Sequence, residues 1–316
     1  MSFDRLQEKI DLMKNPSVVG LDPALAHVPP QILEKQIAQQ GETLDAAAAA
    51  ICEFNFGLID ALCDIVPAIK PQSAYYELLG PCGVLALKLT CDYAKSKGMY
   101  VICDGKRNDI GSTAEAYAGA YLGTVKVGNT EIAPFDADAL TVNAYLGSDG
   151  IKPFIDMAIK HDKAVFALVK TSNPSAGELQ DKFISDQKPD KRTAPLSDLT
   201  LYTSVGDLMQ EISKDTVGKY GYSRVGAVVG ATYPEEAEFL RTRLKNTFFL
   251  VPGYGAQGGA AADAAKAFDE NGRCAIVNSS RAIIAAWKKS GGDYAAAARN
   301  EAIRMRDEFR EVLGSS

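Results

Sequence analysis

Short apolar runs of three to six residues recur along this chain, each closed by a polar or charged cluster and most followed by a longer stretch with apolar residues at helical spacing. Eight runs predict strands, at 17–21, 67–69, 99–103, 139–142, 164–169, 225–229, 248–251 and 275–277. The stretches between them predict helices at 43–65, 83–96, 113–122, 153–161 and 201–220, two more beginning near Pro234 and Ala260, and a closing pair at 282–288 and 294–313. The opening fifteen residues, MSFDRLQEKIDLMKN, alternate charge and apolar character at helical spacing. Strand and helix alternating eight times predicts a (β/α)8 barrel, with 1–316 as one domain. An open doubly wound sheet is the alternative, because counting strands does not prove closure. One polar stretch rich in Asp, Lys and Pro, 175–198, breaks the rhythm before the 201–220 helix, so an inserted loop and helix are expected at about 175–220.

In either architecture ligands sit at the carboxyl ends of the strands, so the residues just past each run are the candidates for chemistry. The richest is behind the third run, where Asp104, Lys106, Arg107 and Asp109 place four charges in six residues. Residues two apart in extended chain share a face, so Asp104 and Lys106 project together; a carboxylate beside an ammonium keeps both charged, and a proton donor can be built this way without histidine. A solvated turn with a surface ion pair remains the other reading. Further strand ends carry Asp22, Lys70, Asn143, Ser172 and Thr232. Asp22 before Pro23 also fits a simple turn, and Ser172 with Asn173 a cap on the polar connection. Behind the seventh run, PGYGAQGG (252–259) has four glycines in eight residues, either a structural turn or a loop whose backbone N–H groups approach a phosphate. Behind the eighth, NSSR (278–281) adds hydroxyls and one guanidinium, and loops seven and eight are the usual phosphate site of the barrel architecture.

Composition narrows the classes. Lys plus Arg number 34 against 40 Asp plus Glu, a net charge of -6, which argues against nucleic acid as the main partner and requires any anion site to be a local cluster. No apolar run approaches the roughly 18 residues of a membrane span, and the amino terminus has no signal-peptide pattern. The cysteines, at 52, 63, 82, 91, 103 and 274, show no C-x-x-C or histidine-linked spacing, so they read as reduced residues of a cytoplasmic protein and no metal site is expected. The two histidines, His27 and His161, have no acid at a meaningful spacing, which disfavours a Ser-His-Asp or Cys-His hydrolase.

The motif DGKRNDIGST (104–113) resembles the active-site signature of the orotidine 5'-phosphate decarboxylase family, Asp-x-Lys-x-x-Asp followed by an apolar residue and a nearby threonine. AIKPQSAYYE around Lys70 and DGKRNDIGSTAEAYA look like the longer-chain subgroup, as does LTVNAYLG around Asn143. The resemblance runs from Asp22 to Arg281. It implies conversion of orotidine 5'-monophosphate to uridine 5'-monophosphate and carbon dioxide, the last step of de novo pyrimidine nucleotide synthesis, with no metal or cofactor. Lys70, Asp104, Lys106 and Asp109 then correspond to the family's catalytic tetrad, with Lys106 as proton donor. The substrate-binding residues implied are Asp22 for the ribose, Ser172 for the ring, Gln257 for phosphate and base, Ser280 and Arg281 for the phosphate, with Pro252 and Asn143 also at the site. The family's shared sites imply a homodimer in which Asp109, Ile110 and Thr113 come from the neighbour. Two features depart from the shorter members: a serine pair before Arg281 where many have glycine, and the 175–198 insertion.

Two rival functions stand beside this one. A related barrel decarboxylase of 3-keto sugar phosphates shares Asp-x-Lys-x-x-Asp but uses magnesium, which paired carboxylates could hold. A nucleotide-binding sensor would need only the phosphate and base contacts, whereas here the tetrad is complete.

Overall fold

A computed structural model describes residues 1–184, 200–255 and 258–314. Eight parallel strands close into a barrel: β1 (Ser17–Leu21), β2 (Ala68–Pro71), β3 (Tyr100–Arg107), β4 (Ala139–Val142), β5 (Ala164–Lys170), β6 (Val225–Val229), β7 (Phe249–Val251) and β8 (Ala275–Ser279), each hydrogen-bonded to its neighbours in sequence and β8 back to β1. Ser17 pairs with Val277 and Val18 with both Asn278 and Ala68, so the first strand closes the ring and the open-sheet alternative falls. Closure also explains composition, since a strand with helices outside and barrel inside is buried on both faces and reads as an unbroken apolar run.

Two apolar clusters follow from the two faces. Val19, Leu21, Ile69, Val101 and Leu140 pack outward against helices such as Leu44–Leu62, whose start is capped by Thr43 Oγ1 accepting the Ala46 N–H at 3.1 Å. Val18, Ala68, Tyr100, Ile102, Ala139, Phe166 and Ile276 fill the interior together with Phe3, Leu6 and Ile10 of the amino-terminal helix Ser2–Met13. That helix plugs the barrel at the strands' amino ends: the Phe3 ring lies 4.9 Å from Phe166 and 5.1 Å from Phe248. With that end sealed, the mouth at the carboxyl ends is left for a ligand.

Several boundaries differ from the sequence reading. β3 runs on through Arg107, so Asp104 and Lys106 belong to the strand rather than to a loop behind it, and Lys70 likewise lies inside β2. A helix at Pro30–Gln40 and an exposed hairpin, Val125–Val127 with Thr130–Ile132, were not expected. Of the expected insertion, 185–199 lies outside the described residues; the helix after it runs Leu201–Ser213. No helix among the described residues is long and apolar enough to cross a membrane.

Candidate active site

Side chains two apart on a strand share a face, and along each inward row the character changes from apolar to polar towards the mouth. Ala68 is followed by Lys70, Tyr100 and Ile102 by Asp104, Ala139 by Thr141, and Ile276 by Asn278. The polar ends enclose a cavity of about 360 Å3 whose apolar lining includes Val228, Leu250 and Pro252.

Asp104 is the centre of it. Its Oδ2 accepts from Lys70 Nζ at 2.7 Å and Gln72 Nε2 at 2.9 Å; its Oδ1 accepts from Lys106 Nζ at 2.6 Å and the Thr141 hydroxyl at 2.8 Å. Lys70 is 4 % exposed and Asp104 6 %, whereas the Lys106 side chain is 46 % exposed and faces the cavity. Burial alone would push the Asp104 carboxyl up, but the Lys70 and Lys106 ammonium groups outweigh it and hold the group ionised far below the ordinary carboxylate range. Burial would likewise lower Lys70, and Asp104 with Asp22 outweighs it, so this lysine stays charged. The result is two fixed cations on one fixed anion, inside a pocket.

The backbone that presents Lys106 is unusual. Between the pairs Cys103 with Leu140 and Arg107 with Val142 the register shifts, and Lys106 sits at φ 45°, the left-handed region rarely adopted by side-chain-bearing residues. Arg107 turns away from the cavity, donating to Gly105 O at 3.1 Å and Tyr121 OH at 3.0 Å and pairing with Glu77.

Opposite this row, Asp22 Oδ1 and Asn278 Oδ1 are buried at the cavity without a hydrogen-bond partner among the described residues, while Asn278 Nδ2 donates to Ser280 Oγ at 3.2 Å. A Cβ on Gly20 would lie 1.9 Å from Ser280 Oγ, so glycine is what lets Ser280 lie across β1. Ser172 is held by its carbonyl, which accepts from Thr232 Oγ1 at 3.1 Å. Arg281 starts the helix Arg281–Ile284, lines the cavity and has no ion pair among the described residues. Among the described residues of the glycine loop, three N–H groups are taken up within the loop, Gly255 and Gly258 donating to Gly259 O and Gly255 O at 2.9 Å each and Gly259 to Gly253 O at 3.2 Å, while Pro252, Gly253 and Tyr254 line the cavity.

The model of the family described as Orotidine 5'-phosphate decarboxylase / HUMPS matches residues 44–291. The chain belongs to this family.

Among its relatives, the orotidine 5'-phosphate decarboxylase of Rhodopirellula baltica is 42% identical over 299 residues, 92% of this chain and 93% of the relative. That of Clostridium perfringens strain SM101 is 39% identical over 316 residues, 99% of each chain. Among solved structures, the OMP decarboxylase of Leishmania donovani superposes with TM-score 0.72 at 28% identity, covering 99% of this chain and 98% of that one.

Of the residues expected at the site of this family member, Lys70, Asp104, Lys106, Asp22, Ser172, Pro252, Ser280 and Arg281 line one cavity. Asp109, Ile110, Thr113 and Asn143 do not. Asp109 Oδ1 accepts from the Ile110 N–H at 2.8 Å, Ile110 is 56 % exposed, and Asn143 Oδ1 accepts from the Tyr145 N–H at 3.0 Å on the outer rim. Gln257 lies outside the described residues. Sequence reasoning did not single out Gln72, Tyr75 or Thr141, all of which line the cavity. Alternation would have found two of them: Gln72 is two past Lys70, and Thr141 two past the inward Ala139.

Proposed function

We infer that this chain is a carboxy-lyase converting orotidine 5'-monophosphate into uridine 5'-monophosphate and carbon dioxide, the final step of pyrimidine nucleotide synthesis de novo. The observation that carries the reading is the Lys70, Asp104, Lys106 row, two ammonium groups on one buried carboxylate at a barrel mouth. Loss of the substrate carboxylate leaves an electron pair on C6 of the pyrimidine. An ammonium already fixed there stabilises that charge and delivers the proton that replaces carbon dioxide, and Lys106, the more exposed lysine, is the donor. Asp104 holds the Lys106 ammonium in place through the 2.6 Å contact, and Lys70 with Lys106 keeps Asp104 ionised. No cofactor enters this scheme: each Asp104 oxygen already accepts from two donors, one a lysine, so the carboxylate a magnesium ion would need is occupied.

The remaining roles follow the cavity wall. Arg281 and Ser280 take the phosphate, Asp22 the ribose through its unpartnered oxygen, and Ser172 the ring; Pro252 borders the phosphate side, and Gln257 is assigned to phosphate and base by family likeness alone. Binding the remote phosphate organises the reacting ring, so Arg281 contributes to rate as well as affinity. The likeness to the longer-chain subgroup rests on the Lys70, 104–118 and Asn143 segments. The partner is a second copy of the chain. Supporting this, Asp109 and Thr113 stand at a rim where Ile110, Tyr117, Tyr145 and Leu146 are exposed, an apolar patch of the kind that marks an interface. In that dimer Asp109, Ile110 and Thr113 enter the neighbour's cavity, and Asn143 belongs to the shared edge. All six cysteines are free, which suits a reducing cytoplasm.

The test is loss of orotidine monophosphate absorbance with excess chelator, for the native protein and Lys106→Ala. We expect turnover in the first, and in the second a folded protein slower by several orders of magnitude; turnover that needs magnesium, or a Lys106→Ala enzyme near native rate, rejects the scheme.

A further inference from the structure

The site contains a residue whose contacts go to the machinery. Between the pairs Cys103 with Leu140 and Arg107 with Val142, three residues of β3 stand against one residue of β4, Thr141. Asp104, Gly105 and Lys106 therefore bulge, and Lys106 is driven to φ 45°. Across this gap the Lys106 N–H donates to Thr141 Oγ1 at 2.9 Å. A backbone N–H can only donate, so the hydroxyl oxygen must accept there, and its single proton is left for Asp104 Oδ1 at 2.8 Å. The hydroxyl is thus oriented by its neighbours and ties the strained backbone of one charged residue to the carboxylate of the other. Thr141 is 1 % exposed, so water does not readily replace it.

We propose that Thr141 is a positioning residue: its hydroxyl pins the β3 bulge so that the Lys106 ammonium and the Asp104 carboxylate are held in register for proton delivery. This rests on the assignment of Lys106 as donor. Thr141 also lines the cavity, so a direct substrate contact is the rival explanation, and the two differ in what is lost. A contact would weaken nucleotide binding along with rate. A pin would lower kcat and leave ground-state binding of the nucleotide in place.

The experiment compares the native protein, Thr141→Val, Thr141→Ala, Thr141→Ser and Lys106→Ala in kcat and in Kd for uridine monophosphate, with hydrogen exchange at the Lys106 amide as a readout independent of turnover. Val keeps the shape and removes both hydrogen bonds. We expect Val and Ala to lower kcat by about 10- to 100-fold, the scale of an unmade buried hydrogen bond, with nucleotide Kd within about twofold and a Lys106 amide that exchanges faster. Ser should recover most of the rate and the amide protection. Should Val or Ala keep native kcat, or lose nucleotide affinity in step with rate, or leave the Lys106 amide as protected as before, Thr141 is not a pin. A native protein without decarboxylation, or an active Lys106→Ala, instead rejects the donor assignment, so the two failures are distinct.

Discussion

Asp104 and Lys106 share one ion pair and differ in what their removal costs. Asp104 sits between a fully buried lysine and a half-exposed one, and both of its oxygens are filled. Asp104→Ala leaves the Lys70 ammonium buried with only Asp22 for electrostatic support, so it should destabilise the fold by about 3–5 kcal/mol, read as a lower urea midpoint. Lys106 already reaches into the cavity, and its loss leaves Asp104 still paired with Lys70, so Lys106→Ala should keep a near-native midpoint while abolishing turnover. Equal midpoints for the two variants would contradict the burial argument. Both residues were legible in the sequence, because a charge directly behind an apolar run is a local signal. Thr141 was not: a threonine inside a strand looks like any β-branched residue until the partner bulge is known.

At the scale of elements, β5 and the connection behind it show how a strand end is set in place. Lys170, with no exposed surface, pairs with Asp181, and its ammonium lies 4.3 Å from the centre of the Tyr233 ring and 5.2 Å from that of Tyr202. Gln180 reinforces the closure, accepting the Thr171 N–H at 2.9 Å and donating to the Thr171 hydroxyl at 2.7 Å. Ser172 follows directly, so this closure fixes its place at the cavity. Asp181→Ala should cost about 2–3 kcal/mol, less than for a fully buried pair because Asp181 is half-exposed and the rings stay, and a urea midpoint equal to native would count against the anchor. The strands were legible because a run buried on both faces is continuous. The Pro30–Gln40 helix was not, since only Ile32 and Gln36 of its residues are buried and its sequence has little apolar stripe. The hairpin at 125–132 escaped for a similar reason: its strands are short and wholly exposed.

For the whole molecule two measurements follow. In the proposed dimer each cavity needs Lys106 from one chain and Asp109 from the other. Lys106→Ala and Asp109→Ala should each be nearly inactive alone, yet co-assembly should restore about a quarter of native turnover, since half the dimers are mixed and each mixed dimer has one intact site. No recovery on mixing would contradict the shared site. The second is acid stability. Burial raises Asp104, Asp136 and Asp162, and their Lys and Arg partners outweigh it, so all three titrate below their ordinary value when folded. The unfolded chain then binds more protons between the two values, so this stabilisation is complete above about pH 5 and is lost as pH falls through the folded values. The melting temperature should therefore drop between pH 5 and pH 3; a flat profile there would oppose it. By itself the sequence determined the alternation of strand and helix, the sealed character of the strands and the charges at their ends, because each depends on neighbours a few positions away. Only the tertiary structure decided that the sheet closes, that Lys70, Asp104 and Thr141 meet, that Gly255, Gly258 and Gly259 use their N–H groups within their own loop, and that Asp109 does not line its own chain's cavity. Those depend on the register between strands tens of residues apart, and a pattern local to the chain does not encode register.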